Sequence, residues 1–170
     1  MKDVGNSTNA ALTLAQIGWV VKDLEAAQQF FRDRMGVKNF SQPEIFRGHD
    51  FASTHYGKPS EYESLICQAY SGGSFIEIIQ PLSGQSIFHD YLLKNPSGGI
   101  QHIAYSTPIA NFDRVIAEME NDGFAVIATY DMPIAKIYFF DTFATIGVAT
   151  EILGITEEGE AAVEKMKAAQ

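Results

Sequence analysis

Four polar side chains interrupt strand-like apolar runs in this chain: Gln16, Glu77, His102 and Glu151. Glu77 lies between Ile76 and Ile78, and Glu151 stands directly before Ile152 and Leu153. Successive strand side chains point to opposite faces, so each glutamate faces away from its apolar neighbours. The plain reading is a sheet with one face on helices and the other in water. The chemical reading starts from the high cost of burying an ionised carboxylate without a partner or a metal. Two carboxylates, an imidazole and an amide form the oxygen and nitrogen donor set that a divalent cation accepts. Four such ligands leave positions open for water or substrate, as a catalytic metal requires. His102 alone would read as a satisfied core histidine; the set of four favours ligation. His49 and His55 flank an irregular loop, and His89 sits in a short helical stretch where surface placement is the simpler account.

The four are matched by an internal repeat. Gln16-Ile17-Gly18-Trp19-Val20 aligns with His102-Ile103-Ala104-Tyr105-Ser106, and Phe75-Ile76-Glu77-Ile78-Ile79 with Ala149-Thr150-Glu151-Ile152-Leu153. Glu77 follows Gln16 by 61 residues and Glu151 follows His102 by 49, so the first half carries an insertion of 12. That insertion falls in the irregular stretch 41–60, punctuated by Pro43, Gly48, Gly57 and Pro59.

The elements that must hold these residues can be read from periodicity. Leu12 to Val21 reads as a strand, and Asp23 caps a helix whose apolar positions are Leu24, Ala27, Phe30 and Phe31, ended by Gly36. Residues 41–60 read as one irregular strand and a long loop. Tyr62–Tyr70 and Ser74–Gln80 are strands joined at Gly72-Gly73, and Pro81 to Gln85 reads as a turn before a short helix from Ser86 to Lys94. The second half repeats the pattern: strand Ile100–Ser106, a helix opened by Thr107 with Pro108 first and ended at Gly123, then strands Phe124–Tyr130, Ala135–Asp141 and Gly147–Leu153. The expected organisation is a disordered tail over 1–11, a first βαβββ module over 12–84, a linker helix over 85–99, a second module over 100–155, and a helical tail over 156–170.

Composition narrows the partners. The 170 residues carry a net charge of −9, and the twelve basic residues form no run, which argues against nucleic acid and against an anionic membrane surface. No segment reaches the length of an apolar membrane span, and the N-terminus has no apolar signal core, so a cytoplasmic protein is expected. A single cysteine, Cys67, excludes an internal disulfide and a cysteine zinc site; within Leu65-Ile66-Cys67 it reads as buried filler.

These residues resemble the vicinal oxygen chelate superfamily, which includes glyoxalase I, methylmalonyl-CoA epimerase, extradiol dioxygenases and bleomycin-resistance proteins. The resemblance spans roughly residues 13 to 154. Glu77-Ile78-Ile79-Gln80-Pro81-Leu82 and Gly98-Gly99-Ile100-Gln101-His102-Ile103-Ala104 are particularly similar to methylmalonyl-CoA epimerases. The Gln/Glu/His/Glu combination is instead similar to human-type glyoxalase I. The resemblance implies an α+β fold of paired βαβββ modules curled into a cup. It implies one divalent metal ion (Zn, Ni, Co or Mn) on Gln16, Glu77, His102 and Glu151, with Glu151 as base and Glu77 as its partner. The implied activity is isomerase, epimerase or lyase chemistry by proton abstraction next to a carbonyl, on a small carbonyl or thioester substrate, in a homodimer. An epimerase-like second base would come from Glu61 or Glu63. Positions where glyoxalase I carries arginine, asparagine and arginine for glutathione hold Val20, Pro81 and Gly98 here, so glutathione is not the expected substrate. A non-catalytic binder of the bleomycin-resistance type is the competing class. An extradiol dioxygenase is disfavoured, because Gln16 replaces its first histidine and Glu77 adds a charge. Phe75, Trp19, Tyr105 and Phe139 are candidate apolar lining, although aromatic residues on strands are more often plain core.

Overall fold

The structure is a computed structural model that describes residues 12–169; the expected tail over 1–11 lies outside the described residues. Strand β1 (Thr13–Val20) leads into helix α1 (Leu24–Met35), with the Asp23 side chain accepting from the Ala26 amide and Gly36 in the left-handed conformation at the far end. The chain returns through β2 (Glu44–Arg47), β3 (Thr54–His55), β4 (Lys58–Pro59), β5 (Tyr62–Ser71) and β6 (Ser74–Gly84). Helix α2 (Ile87–Lys94), capped by Ser86, links to the second half: β7 (Gly99–Pro108), α3 (Ile109–Asn121), β8 (Val126–Met132), β9 (Ala135–Phe140), the single turn α4 (Phe143–Ile146) and β10 (Ala149–Ile155). Helix α5 (Glu157–Ala168) follows.

All ten strands form one mixed sheet in the order β2-β5-β6-β1-β7-β10-β9-β8-β3-β4, an α+β arrangement. β1 runs parallel to β6 and β7 parallel to β10, while β1 and β7 meet antiparallel at the centre. Ile17 pairs with Ile103, and Gln16 and Gly18 pair with Ala104 and His102. Gly18 also pairs with Glu77 as Ala104 does with Glu151. The repeat read from the sequence therefore relates the two halves by a pseudo-twofold axis that passes between Ile17 and Ile103.

Several local expectations are corrected. Pro81 to Gly84 extends β6 rather than turning, because β5 continues to pair with it as far as Tyr62 opposite Gly84. Residues 41–60 hold three short strands rather than one. After β2 comes a 3-10 turn at Gly48–Phe51, then the β3–β4 hairpin, which crosses to the other half and pairs with β8. β7 runs through Thr107 to Pro108, which is the N-cap of α3, so Pro108 stands one position before its expected place at the first helical residue. Phe30 is exposed on α1, and Gln28 is buried in its stead.

Helices α1 and α3 pack on the convex face of the sheet, α1 over Cys67 and Ile78, α3 over Phe140 and Ile152. The concave side holds a third cluster, with Val20, Ile79, Ala149, Tyr130 and Phe139 gathered against Phe88 of α2. Tyr62 on β5 donates to Tyr130 on β8 across the cup at 2.9 Å. Phe46 on β2 stacks on Phe51 and meets Tyr130 edge-on. The insertion thus ties the outer strands of the two halves together and seals one end of the cup.

Candidate active site

Strand alternation decides which side chains enter the cup. On β1 the inward positions are Gln16, Gly18 and Val20; on β6 they are Phe75, Glu77 and Ile79. The matched strands contribute His102 on β7 and Glu151 on β10. Each half supplies one polar residue at the same level, above the apolar layer of Val20, Ile79 and Ala149.

The four heads converge. Gln16 Nε2 donates to Glu77 Oε2 at 3.0 Å and to Glu151 Oε2 at 3.2 Å, and lies 3.3 Å from His102 Nε2. His102 Nε2 is 3.2 Å from Glu151 Oε2 and 3.4 Å from Glu77 Oε2. His102 is fully buried, and the other three are nearly so. The solvated-face reading of these glutamates is thereby excluded. Burial pushes the Glu151 carboxyl up to about 8; the charge of Glu77 adds to this, while His102 and the Gln16 hydrogen bond oppose it. Burial pulls the His102 imidazole down, but the Glu77 hydrogen bond and the charges of Glu151 and Glu77 outweigh it, so His102 is raised overall.

Two supporting residues escaped the sequence reading. Gln68 Nε2 donates to Glu77 Oε1 at 2.8 Å and to Gln16 Oε1 at 3.4 Å. A signal for it existed: counting outward from the Gly72-Gly73 turn puts Gln68 directly opposite Glu77 in the hairpin. Gln101 is the other, its Oε1 2.8 Å from His102 Nδ1. An amide oxygen only accepts, so Nδ1 carries the proton and Nε2 faces the centre, as a ligating histidine requires.

Other expectations fare differently. Glu63 turns to the outer face, where its carboxylate takes the Arg47 guanidinium at 3.0 Å, and Glu61 is exposed. The inward positions of β5 are Tyr62, Ser64, Ile66, Gln68 and Tyr70, none of them a carboxylate, so neither Glu61 nor Glu63 enters the cup; the carboxylates that line the cavity beside the cluster are Glu44 of β2 and Asp50. Phe75 reaches the concave side, and Phe139 meets the His102 ring edge-on at 5.2 Å. Trp19 instead packs on Phe31 of α1, and Tyr105 under α3, since both occupy outward positions of their strands. His55 pairs with Asp90 of α2 at 2.7 Å, and His89 Nδ1 lies 2.9 Å from Ser86 Oγ; His49 stays on the surface beside Asp50.

A cavity of about 670 Å³ opens onto the cluster, lined by Gln16, Glu77 and Glu151 at its floor and by Asn39, Gln42 and Phe46 among others nearer the mouth. Among the described residues, no three His, Cys, Asp or Glu side chains are spread as in a ready-formed metal site. The heads are drawn onto one another, with the Gln16 amide between the carboxylates. The donor set itself fits a divalent cation: two carboxylates and one imidazole are buried together without a lysine or arginine among their polar contacts.

Two βαβββ halves joined about a pseudo-twofold axis, with their matched polar residues on the concave face, define a vicinal oxygen chelate cup. The family model described as the Glyoxalase/Bleomycin resistance protein/Dioxygenase superfamily matches residues 15–139, and the chain belongs to that superfamily. Among solved structures, a hypothetical protein from Bacillus halodurans C-125 is similar at 22% identity, covering 86% of this chain and 96% of that one, with TM-score 0.63. The methylmalonyl-CoA epimerase of Mycobacterium tuberculosis is similar at 19% identity, covering 87% of this chain and 91% of that one, with TM-score 0.62. A variant of the Streptomyces coelicolor methylmalonyl-CoA epimerase, in complex with 2-nitronate-propionyl-CoA, is similar at 25% identity, covering 84% and 94%, with TM-score 0.56. No curated protein matches the sequence significantly. No helix among the described residues is long and apolar enough to cross a membrane.

Proposed function

We propose that this protein is a metal-dependent enzyme that moves a proton on the carbon next to a carbonyl. The observation that carries this reading is the meeting of Gln16, Glu77, His102 and Glu151 within hydrogen-bond distance at the floor of the cup. These four residues would hold one divalent ion (Zn, Ni, Co or Mn), Gln16 through its carbonyl oxygen. When bound, such an ion supplies Lewis-acid polarisation of the substrate carbonyl.

The chain's own residues supply the rest. Glu151 is assigned as the base. It is held at one oxygen, Oε2, by Gln16 and His102, whereas Glu77 is pinned at both oxygens, by Gln16 and by Gln68. The less tethered carboxylate is the one able to reach substrate. As the α C–H bond breaks, the proton passes to Glu151 and the electron pair moves onto the carbonyl oxygen; return of the proton completes an isomerisation or exchange. Gln101 holds His102 in one tautomer, and the apolar layer below the cluster excludes water from it.

The outward turn of Glu63 bears on the reaction type. Epimerisation with one base on each face of the carbon needs a second carboxylate opposite the first; β5 offers none, and the other carboxylates lining the cavity, Glu44 and Asp50, stand with Phe46 and Phe51 away from the cluster. A single-base proton transfer, with Glu77 as the nearest second carboxylate, is therefore the form proposed, on a small carbonyl or thioester substrate.

The test is metal content followed by exchange. Protein purified without added metal is expected to carry, or to load to, near one equivalent of Zn, Ni, Co or Mn by mass spectrometry, and His102→Ala to lose it. The loaded enzyme is expected to place deuterium at the α-carbon of a carbonyl substrate in heavy water, and Glu151→Gln to lose at least about 100-fold in that rate, the usual contribution of a general base. A protein that cannot be loaded with any of the four ions overturns the reading in favour of a non-catalytic binder.

A further inference from the structure

Behind the polar cluster lies a second cavity, of about 240 Å³, roofed by α5. It adjoins the first across a shared wall: Gln16, Gln68, Met132, Ile137, Leu153 and Met166 line both. Beyond those shared walls it is bounded mainly by apolar groups, among them Phe75, Ile134 and Val163. Its polar wall residues are few. Gln16 and Gln68 stand at the cluster end, while Thr13, Ser106 and Lys167 stand away from it. The Lys167 ammonium is engaged, donating to Glu164 at 2.8 Å and lying 5.6 Å above the Tyr70 ring.

The roof is a built feature. Gly159, Val163, Met166 and Lys167 recur at the spacing of one helical face and all line the cavity, while Glu157, Glu158, Glu160 and Lys165 are exposed. At its N-terminal end α5 is fastened by Thr156, whose amide and hydroxyl both donate to the Ile134 carbonyl. Gly159 allows the helix to sit directly on that carbonyl, which a methyl group there would strike. At the other end Lys167 clasps Tyr70. The helix lies beyond residues 15–139 that match the family model.

We propose that this inner cavity binds the apolar substituent of the substrate, and that the substrate class is a carbonyl compound carrying a phenyl group or a branched alkyl group of similar bulk. This rests on the site reading above. On that reading the reacting carbonyl sits at the cluster, and the space beneath α5 adjoins it at Gln16 and Gln68. A dry cavity of about 150 Å³ accepts benzene, so 240 Å³ admits a phenyl ring with its attachment carbons. A methyl group would leave most of that volume unfilled.

Two measurements test it. First, ethylbenzene is titrated into the metal-free protein and followed by methyl NMR. Shifts centred on Val163, Met166 and Leu153 are expected; no shifts, or shifts elsewhere, overturn the proposal whatever the chemistry of the cluster. Second, the metal-loaded protein is given hydroxyacetone and 2-hydroxyacetophenone in heavy water, each exchange rate divided by its uncatalysed rate. The phenyl compound is expected to be favoured at least about tenfold in kcat/KM, the scale of discrimination in an apolar pocket. Val163→Phe, which fills the cavity, is expected to reduce that ratio in protein with native circular dichroism. Equal rates for the two compounds overturn the subsite but leave the site reading standing. Exchange with neither compound, despite full metal loading, counts against the site reading, and the ethylbenzene titration then decides the subsite alone.

Discussion

The imidazole of His102 lies against the backbone of Gly18, its partner across the β1–β7 ladder, so closely that a methyl group at residue 18 would occupy the ring's own position. Gly18 has an ordinary strand conformation, so the requirement is for space and not for an unusual backbone angle. The pseudo-twofold partner of Gly18 is Ala104, opposite Gln16, where a flexible amide leaves room for a methyl group.

Gly18→Ala is therefore expected to displace His102 from the cluster. Forcing one carbon into a packed site costs about 1–3 kcal/mol, to be read from denaturant unfolding. Metal retention, read by mass spectrometry after dialysis against a chelator, should fall well below that of the parent protein. A variant that keeps both would show that His102 can be held elsewhere.

Gln68 acts on the cluster through Glu77. Gln68→Ala is expected to weaken metal binding by about 10- to 100-fold, the usual effect of removing a residue that orients a ligand. Its unfolding midpoint should stay near that of the parent, because Gln68 borders the cavity and water can replace its amide.

Glu61→Gln and Glu63→Gln are expected to leave deuterium exchange at the parental rate. Both carboxylates lie away from the cup, and Glu63 is committed to Arg47. A large loss of exchange in either variant would restore a two-base mechanism.

Tyr62 and Tyr130 close the cup through one hydroxyl–hydroxyl bond, and burial, the first cause, raises the pKa of both phenols, so each stays protonated. Tyr62→Phe leaves the Tyr130 hydroxyl buried without this partner and should cost about 1–3 kcal/mol. The double variant with Tyr130→Phe should recover much of that loss, since no polar group is then stranded; unfolding of all four proteins gives the coupling energy.

Cys67 is buried beneath α1, and Gln28 Nε2 donates to its sulfur at 3.0 Å. Burial pushes the thiol up to about 11; the Gln28 hydrogen bond opposes this, and the charge of Glu77 adds to it. Folding thus favours the protonated thiol. That contribution is complete below the unfolded value of about 8.5 and is lost as the pH climbs through the folded value near 11. A thiol reagent at pH 8 should label the native protein slowly and the unfolded protein at once. Rapid native labelling would contradict the burial.

What the sequence by itself determined was the repeat and the residues it matched. Polar side chains inside β-rich apolar runs mark the strands' inward positions, and two equivalent copies fix which of them share a level. Strand alternation is a local rule, so Gln16, Glu77, His102 and Glu151 were legible without coordinates. The tertiary structure decided what depends on register and on contacts distant along the chain. Glu63 is the immediate neighbour of inward-facing Ser64, and its pairing with Arg47 across β2 and β5 holds it on the outer face. Trp19 and Tyr105 stand three residues after Gln16 and His102, so the same alternation already turns them to the outer face. The β3–β4 hairpin found its partner β8 some 70 residues away, and α5 found its seat on Ile134. The hairpin leaves no periodic signature in its own segment, because the strand it pairs with belongs to the other half of the chain; the helical spacing of Gly159, Val163 and Met166 marks one face of α5 without naming the surface it covers.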